Sequence, residues 1–246
     1  MSVSFDSVAE IYGKTRGPPE QILKLLVKTL NNELHCCQVV LDVGVGTGRF
    51  ALPLQENGLE VVGADIARRM VHKAGAKDVR DLLLGDARAL SFREKTFDTT
   101  ICIHLLHLIK QRDVALREIC RATRHTMIST FYARPDTVGK EYDRLLEKHG
   151  HERRRLGRGE WELKDSVKPL KSVLVASYEV SADERLDYLG QRASSSQWEV
   201  SEDVNKMVVD KLRSRFTGKR FRQDLQVLVW SVSDLEAYIR TRPYDC

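Results

Sequence analysis

The chain has 246 residues, 30% of them charged and 42% hydrophobic, a soluble globular balance with room for one α/β domain plus an insertion. No apolar run reaches the about 18 residues a membrane span needs. The N-terminus shows no basic stretch followed by an apolar one, so the expectation is a cytoplasmic protein without a signal peptide or a membrane partner. The net charge of +5 is mild and sits largely in His149–Arg158 and Lys211–Arg222, runs that can meet phosphates but read as solvated surface. The five cysteines are odd in number and form no C-x-x-C pair, so buried or incidental thiols are expected and no metal.

Residues 5–16 place Phe5, Val8, Ala9 and Tyr12 at helical spacing, and Gly17-Pro18-Pro19 ends that helix. Pro19–Leu30 carries a second helical stripe. Val39–Val43 is an apolar, β-branched run that contains Asp42 and is followed by Gly44, Gly46 and Gly48. That order predicts a buried strand, a tight turn and a helix over Phe50–Gln55, with Pro53 tolerable in its first turn. Without Cβ atoms the turn lets a ligand approach the backbone, and the helix start offers unpaired N–H groups. A dinucleotide site would need a third glycine where Arg49 stands, which disfavours a nicotinamide dehydrogenase. A turn that binds nothing is the alternative.

Leu59–Asp65 reads as a second strand ending in an acid. Asp65 lies 21 positions beyond Gly44, the distance at which a βαβ unit sets the second strand's end beside the glycine turn. A carboxylate there can accept both ribose hydroxyls of a nucleoside, or simply cap the helix that begins near Ala67. Leu82–Arg88 reads as a third strand ending in Gly85-Asp86-Ala87. A fourth, Phe97–Ile103, runs into His104 and His107. Histidine titrates near neutrality, so either is a candidate general base, the plainer reading being two packed loop histidines.

Asp113–Arg124 is a helix and Met127–Tyr132 the fifth strand. Pro135–His149 is helical, and Glu152–Lys168 is a charged, glycine-broken loop or lid around Trp161. Val173–Ser181 alternates as a strand, Ala182–Gln191 is a short helix, and Ser201 caps a helix running to Phe216. Leu225–Trp230 is the last strand.

Taken as D-x-G-x-G-x-G, Asp42–Gly48 resembles motif I of the class I S-adenosylmethionine-dependent methyltransferases. Gly63-Ala64-Asp65-Ile66-Ala67 with Met70 and Ala74 is similar to the second family segment. Gly85-Asp86-Ala87 with Leu90, Phe92, Phe97 and Asp98 is similar to the third, with Ser91 in place of a proline. Leu116–Arg121 is close to the family's L-x-E-[IV]-x-R, whereas Arg124-His125-Thr126 stands where a Gly-Gly turn is usual. Phe5–Arg16 resembles the opening of the branch that includes the ubiquinone and menaquinone C-methyltransferases.

The resemblance implies a Rossmann-like fold: a seven-stranded, mostly parallel sheet with an antiparallel last strand, helices on both faces, and a small cap inserted after the fifth strand. It implies one domain over 1–246, with the cofactor core in 1–135, a substrate-selecting cap in 133–222 and the sheet completed by 225–232. S-adenosylmethionine is the implied cofactor, held by Tyr12, Arg16, Asp42, Gly44, Gly46, Gly48, Asp65, Ile66, Asp86, Ala87 and Ile103. Of these, Tyr12 and Arg16 would close over its methionine end, and Asp86 and Ala87 would meet the adenine. His104 and His107 are the catalytic candidates. Tyr132, Trp161, Arg192 and Trp198 could line a pocket for a planar or anionic small-molecule acceptor, core packing being the alternative for the aromatics. An RNA or protein methyltransferase, and a catalytically silent relative acting as a binding partner, are the alternatives.

Overall fold

The Val39–Val43 run forms β1, buried from Val40 onward, and the sheet grows outward from it. The computed structural model describes residues 18–151, 159–192, 197 and 200–242. Alternation along β1 sends Leu41 and Val43 into one apolar layer and Val40 into the other, which puts Asp42 on the Val40 side. Glu60–Asp65 is β2, Leu82–Leu84 is β3, Phe97–Cys102 is β4 and Thr123–Tyr132 is β5. Lys171–Ser181 is β6 and Arg220–Ser231 is β7. Their order is β3-β2-β1-β4-β5-β7-β6. The first five run parallel, and β7 lies antiparallel between β5 and β6. The strand order therefore reverses beside β1, and a crevice opens there at the strands' carboxyl ends.

Helices cover both faces. On one side α1 (Glu20–Leu34) buries Leu26, Leu30 and Leu34, one residue per turn, beside Leu54 of α2 (Ala51–Glu56). Next comes α3 (Arg68–Gly75), after β2. On the other side α4 (Arg112–Ala122) packs Leu116, Ile119 and Cys120 on the sheet. The family segment on α4 is a structural clamp here: Arg121 donates to the carbonyls of Leu90 and Phe92, and Glu118 accepts from the Leu90 N–H. The loop that follows Ala87 is thereby pinned.

Gln55 is a buried amide that ties α2 to the sheet. Its Nε2 donates to Val61 O at 2.7 Å and Arg80 O at 3.0 Å, and its Oε1 accepts from Arg80 N at 3.0 Å. Gln55→Leu strands backbone groups at the start of β2 and ahead of β3. A loss of about 2 kcal/mol is expected in urea unfolding.

The region after β5 departs in part from its sequence reading. It contains α5 (Thr137–Lys148), α6 (Glu160–Ser166), α7 (Ala182–Gly190) and α8 (Glu202–Phe216). A core of its own joins Tyr142 and Leu145 of α5, Leu186 of α7, and Val208 and Leu212 of α8, and forms the cap. Residues 171–181 belong to the sheet instead, pairing with β7 through most of their length, so β6 and a longer β7 complete it together. Where a charged loop was expected, α6 forms because Leu163 is fully buried on the main core. A last helix, α9 (Val232–Arg240), buries Leu235 and Ile239 and has no counterpart in the sequence reading. Among the described residues no helix is long and apolar enough to cross a membrane.

Candidate active site

Three glycines turn the chain from β1 into α2 with positive φ: Gly44 (+79°), Gly46 (+56°) and Gly48 (+74°). Their surroundings differ. Around Gly46 an added Cβ would meet nothing closer than Gly44 O at 3.9 Å, whereas at Gly48 it would lie 2.4 Å from Val79 Cγ2. Gly46 borders open space and Gly48 is a packing glycine. The turn is held by Asp65 at the end of β2, which accepts from Gly46 N–H at 2.9 Å and from Ala67 N–H at 2.8 Å. Asp65 thus braces the glycine turn and holds the Ala67 N–H just ahead of α3.

A cleft lies at these strand ends. Gly44 and Gly46 line it from β1, Asp65 and Ile66 from β2, and Asp86 and Ala87 from the loop after β3. Ile103, His104, Leu105, Leu108 and Ile109 close it from the segment after β4. Of the residues that the family resemblance assigned to the cofactor, Asp42 and Gly48 lie outside this lining, and Tyr12 and Arg16 lie outside the described residues. The sequence reading missed Leu105, Leu108 and Ile109. The signal available was an apolar run after β4, in which the short 3₁₀ turn at Leu106–Leu108 brings residues three apart, Leu105 and Leu108, to one face.

Asp42 is 2% exposed, and its Oδ2 has no hydrogen-bond partner. Burial, and then the nearby Asp65 carboxylate, push its pKa up to about 8. Asp86 is the opposite case. Arg88 grips it with Nε at 3.1 Å from both oxygens, Nη2 at 2.6 Å from Oδ2 and its backbone N–H at 2.9 Å from Oδ1. The hydrogen bonds from Arg88 hold the Asp86 carboxyl below its ordinary range. Any amino group reaching this carboxylate therefore shares it with a guanidinium, itself tethered to Gln111 at 2.6 Å.

His104 sits in the left-handed region at φ +57° and stacks on Tyr132, with centroids 5.6 Å apart and planes 11° apart. Half-buried Tyr132 interacts with Tyr178 of β6, and burial, above all, raises its pKa well above the ordinary value. His104 lines the cleft, whereas Tyr132, on which it stacks, lies outside the lining. His107 does not line it; its Nδ1 faces Glu160 Oε2 at 3.7 Å. Trp161 packs on Phe131 at 4.7 Å, away from the lining, which favours the packing reading for this residue. Arg192 donates to Val200 O at 2.5 Å within the cap, also off the lining, and Trp198 lies outside the described residues.

Known proteins carry the same segment. A sequence family described as a methyltransferase domain matches residues 41–130, which run from β1 to within β5. Over this segment the chain is similar to that methyltransferase family. Phosphatidylethanolamine N-methyltransferase of Cereibacter sphaeroides is 34% identical over 105 residues, which are 39% of this chain and 51% of that protein. Demethylmenaquinone methyltransferase of Paenarthrobacter aurescens is 37% identical over 132 residues, 50% of this chain and 51% of that one. The chain thus spans about half the length of these curated relatives. Among solved structures, magnesium protoporphyrin IX methyltransferase from Synechocystis PCC 6803, determined with bound S-adenosylmethionine, has a TM-score of 0.50 at 14% identity. That comparison covers 92% of this chain and 93% of the other, and it speaks to the fold alone.

The cleft fits S-adenosylmethionine, the cofactor that the resemblance implies, on this chain's own features. Gly46 leaves space that any Cβ would enter, Asp65 presents a carboxylate on the strand next to the one that leads into the acid–amide pair at Asp86-Ala87, and apolar side chains close the far wall. Among the described residues no group of three or more His, Cys, Asp or Glu side chains could hold a metal ion.

Proposed function

We propose that this chain transfers a methyl group from S-adenosylmethionine to a small-molecule acceptor by in-line displacement. The observation that carries the reading is the convergence of Gly46, Asp65 and Asp86-Ala87 on one cleft, from three separate strand ends. When bound, the cofactor supplies an electrophilic sulfonium methyl. Asp65 would accept the ribose hydroxyls on lone pairs left beyond its two backbone donors, and the Ala87 N–H would meet the adenine ring. Leu105, Leu108 and Ile109 exclude water from the cleft. Catalysis then rests on holding donor and acceptor in line, which can replace about 7 kcal/mol or more of barrier without covalent help. Where the acceptor carries a proton, a base must receive it, and His104 on the lining and His107 beside it are the two candidates.

The relatives are named for phosphatidylethanolamine and demethylmenaquinone, which supports a small or lipid acceptor over a nucleic acid or a protein. Calorimetric titration with S-adenosylhomocysteine and S-adenosylmethionine tests the reading. Micromolar binding is expected, weakened about 100-fold in Asp65→Ala. Asp65→Asn, which keeps one acceptor oxygen for the glycine turn, should also bind weakly. A parent chain that binds neither compound would overturn the proposal.

A further inference from the structure

Glu160, the first residue of α6, is a carboxylate that the cleft does not use. Its side chain is 9% exposed, and burying such a charge costs several kcal/mol unless partners compensate. Its surroundings supply few. The Ser129 hydroxyl, which donates to Cys102 O at 2.6 Å, lies 3.3 Å from Oε1, and His107 Nδ1 lies 3.7 Å from Oε2. Burial acts to raise the Glu160 carboxyl, but His107, its own backbone N–H and the more distant His104 outweigh it and hold the group below its ordinary value. Cys102, the other titratable neighbour, is a buried thiol pushed well above its usual range, so it stays neutral.

The contact is built into the backbone. Gly159 has φ +51°, and a Cβ there would lie 2.7 Å from both the backbone N and the Cβ of His107. A glycine is what lets the start of α6 press against the His107 turn. The helix is anchored further along: Arg112 pairs with Glu162 at 2.9 Å, and Val167 O accepts from Trp230 Nε1 at 3.0 Å. Glu160 is therefore fixed in place, whereas the His107 side chain remains 42% exposed, in a segment whose neighbours Leu105 and Leu108 line the cleft.

We infer that Glu160 and His107 form an acid–base pair beside the cleft, behind the Leu105 and Leu108 wall, with the carboxylate accepting Nδ1–H and leaving Nε2 as the proton acceptor. The inference rests on the methyl-transfer reading. In the step it serves, an acceptor X–H gives its proton to Nε2 and its electron pair stays on X. The ring becomes an imidazolium whose charge Glu160 balances, and the proton then leaves to water. Glu160 acts through His107 and is a positioning residue.

Nitrogen NMR of the imidazoles in the full chain tests this, because it reads which ring nitrogen carries the proton. The parent should show His107 protonated at Nδ1 when neutral. Glu160→Leu should move that proton to Nε2, whereas Glu160→Gln, which keeps an acceptor oxygen, should leave it at Nδ1. A second readout does not depend on folding of the Leu variant. In His107→Gln burial is less opposed, and the Glu160 carboxyl, followed by carbon NMR, should become at least tenfold weaker as an acid. An unchanged tautomer in Glu160→Leu, or an unchanged carboxyl in His107→Gln, overturns the pair. S-adenosylhomocysteine binding on the same samples separates the two failures: no binding by the parent removes the methyl-transfer reading, and binding with an unchanged tautomer removes the pair alone.

Discussion

Asp42→Asn should stabilise the free protein by about 2–3 kcal/mol at pH 7.5, and the gain should vanish near pH 4. The physical origin is the buried, unpartnered Oδ2 on the Val40 side of β1, close to the Asp65 carboxylate. The folded pKa of about 8 lies above the ordinary 3.8, so between those values the folded chain holds a proton that the unfolded chain has released. Folding then takes up a proton, and stability falls as pH rises from about 4 to about 8, levelling off above that. At pH 7.5 the full penalty is about 4–5 kcal/mol at roughly 1.4 kcal/mol per pH unit. Asparagine carries no charge but keeps part of the burial cost, which reduces the gain. Urea unfolding of parent and variant at pH 4, 6 and 7.5 checks this. The difference between the two isolates Asp42 from carboxylates with the opposite sign, such as Glu141 and Asp224, each held near 2 by arginines and hydrogen bonds. Curves that stay parallel at all three pH values would show that Asp42 ionises at no cost, and the reading of a proton stored beneath the glycine turn would be abandoned.

Why a chain keeps such a residue bears on how much of the site was legible in its sequence. Asp42, Asp65 and Asp86 each end or follow an apolar strand, and local pattern is enough to find them. Their environments come from packing: Asp42 is walled in by the α1 and α2 layer, Asp65 is taken up by two backbone amides, and Asp86 is gripped by Arg88. The first four strands of the parallel half were readable for the same reason, since each is a short run that contains or adjoins a glycine or an acid, whereas β5 carries neither. The cap was harder. Leu163 and Trp161 look like isolated apolar residues in a charged stretch, and only the core against β5 makes them a helix. Gly159 and Glu160 carried no local signal of their meeting with His107, which depends on a contact across more than fifty residues. Tyr178 likewise joins Tyr132 only because β6 and β7 fold back beside β5.

The glycine turn allows stability and ligand binding to be pulled apart at two positions. Gly46→Ala and Gly48→Ala both place a Cβ at positive φ, a strain of about 1–2 kcal/mol in each. At Gly46 little else is lost, because the nearest atom to the new methyl is 3.9 Å away. That methyl would instead stand in the cleft, on the backbone the cofactor must approach, so S-adenosylhomocysteine affinity should fall at least about 30-fold, or roughly 2 kcal/mol. At Gly48 the methyl would press on Val79 Cγ2 at 2.4 Å and on Ala74 Cβ at 3.4 Å. Val79 and Ala74 are both buried, so the overpacking adds to the strain for a total loss of about 3–4 kcal/mol. Gly48 is not on the cleft lining, and at low temperature, where the variant is still folded, its affinity should stay within a few-fold of the parent. Calorimetry and urea unfolding on the two variants give four numbers, and the crossed pattern is what the geometry requires. If Gly46→Ala bound as tightly as the parent, the open space at Gly46 would not be a cofactor cradle, and the cleft would have to be assigned to a ligand that enters from the Ile103–Ile109 side.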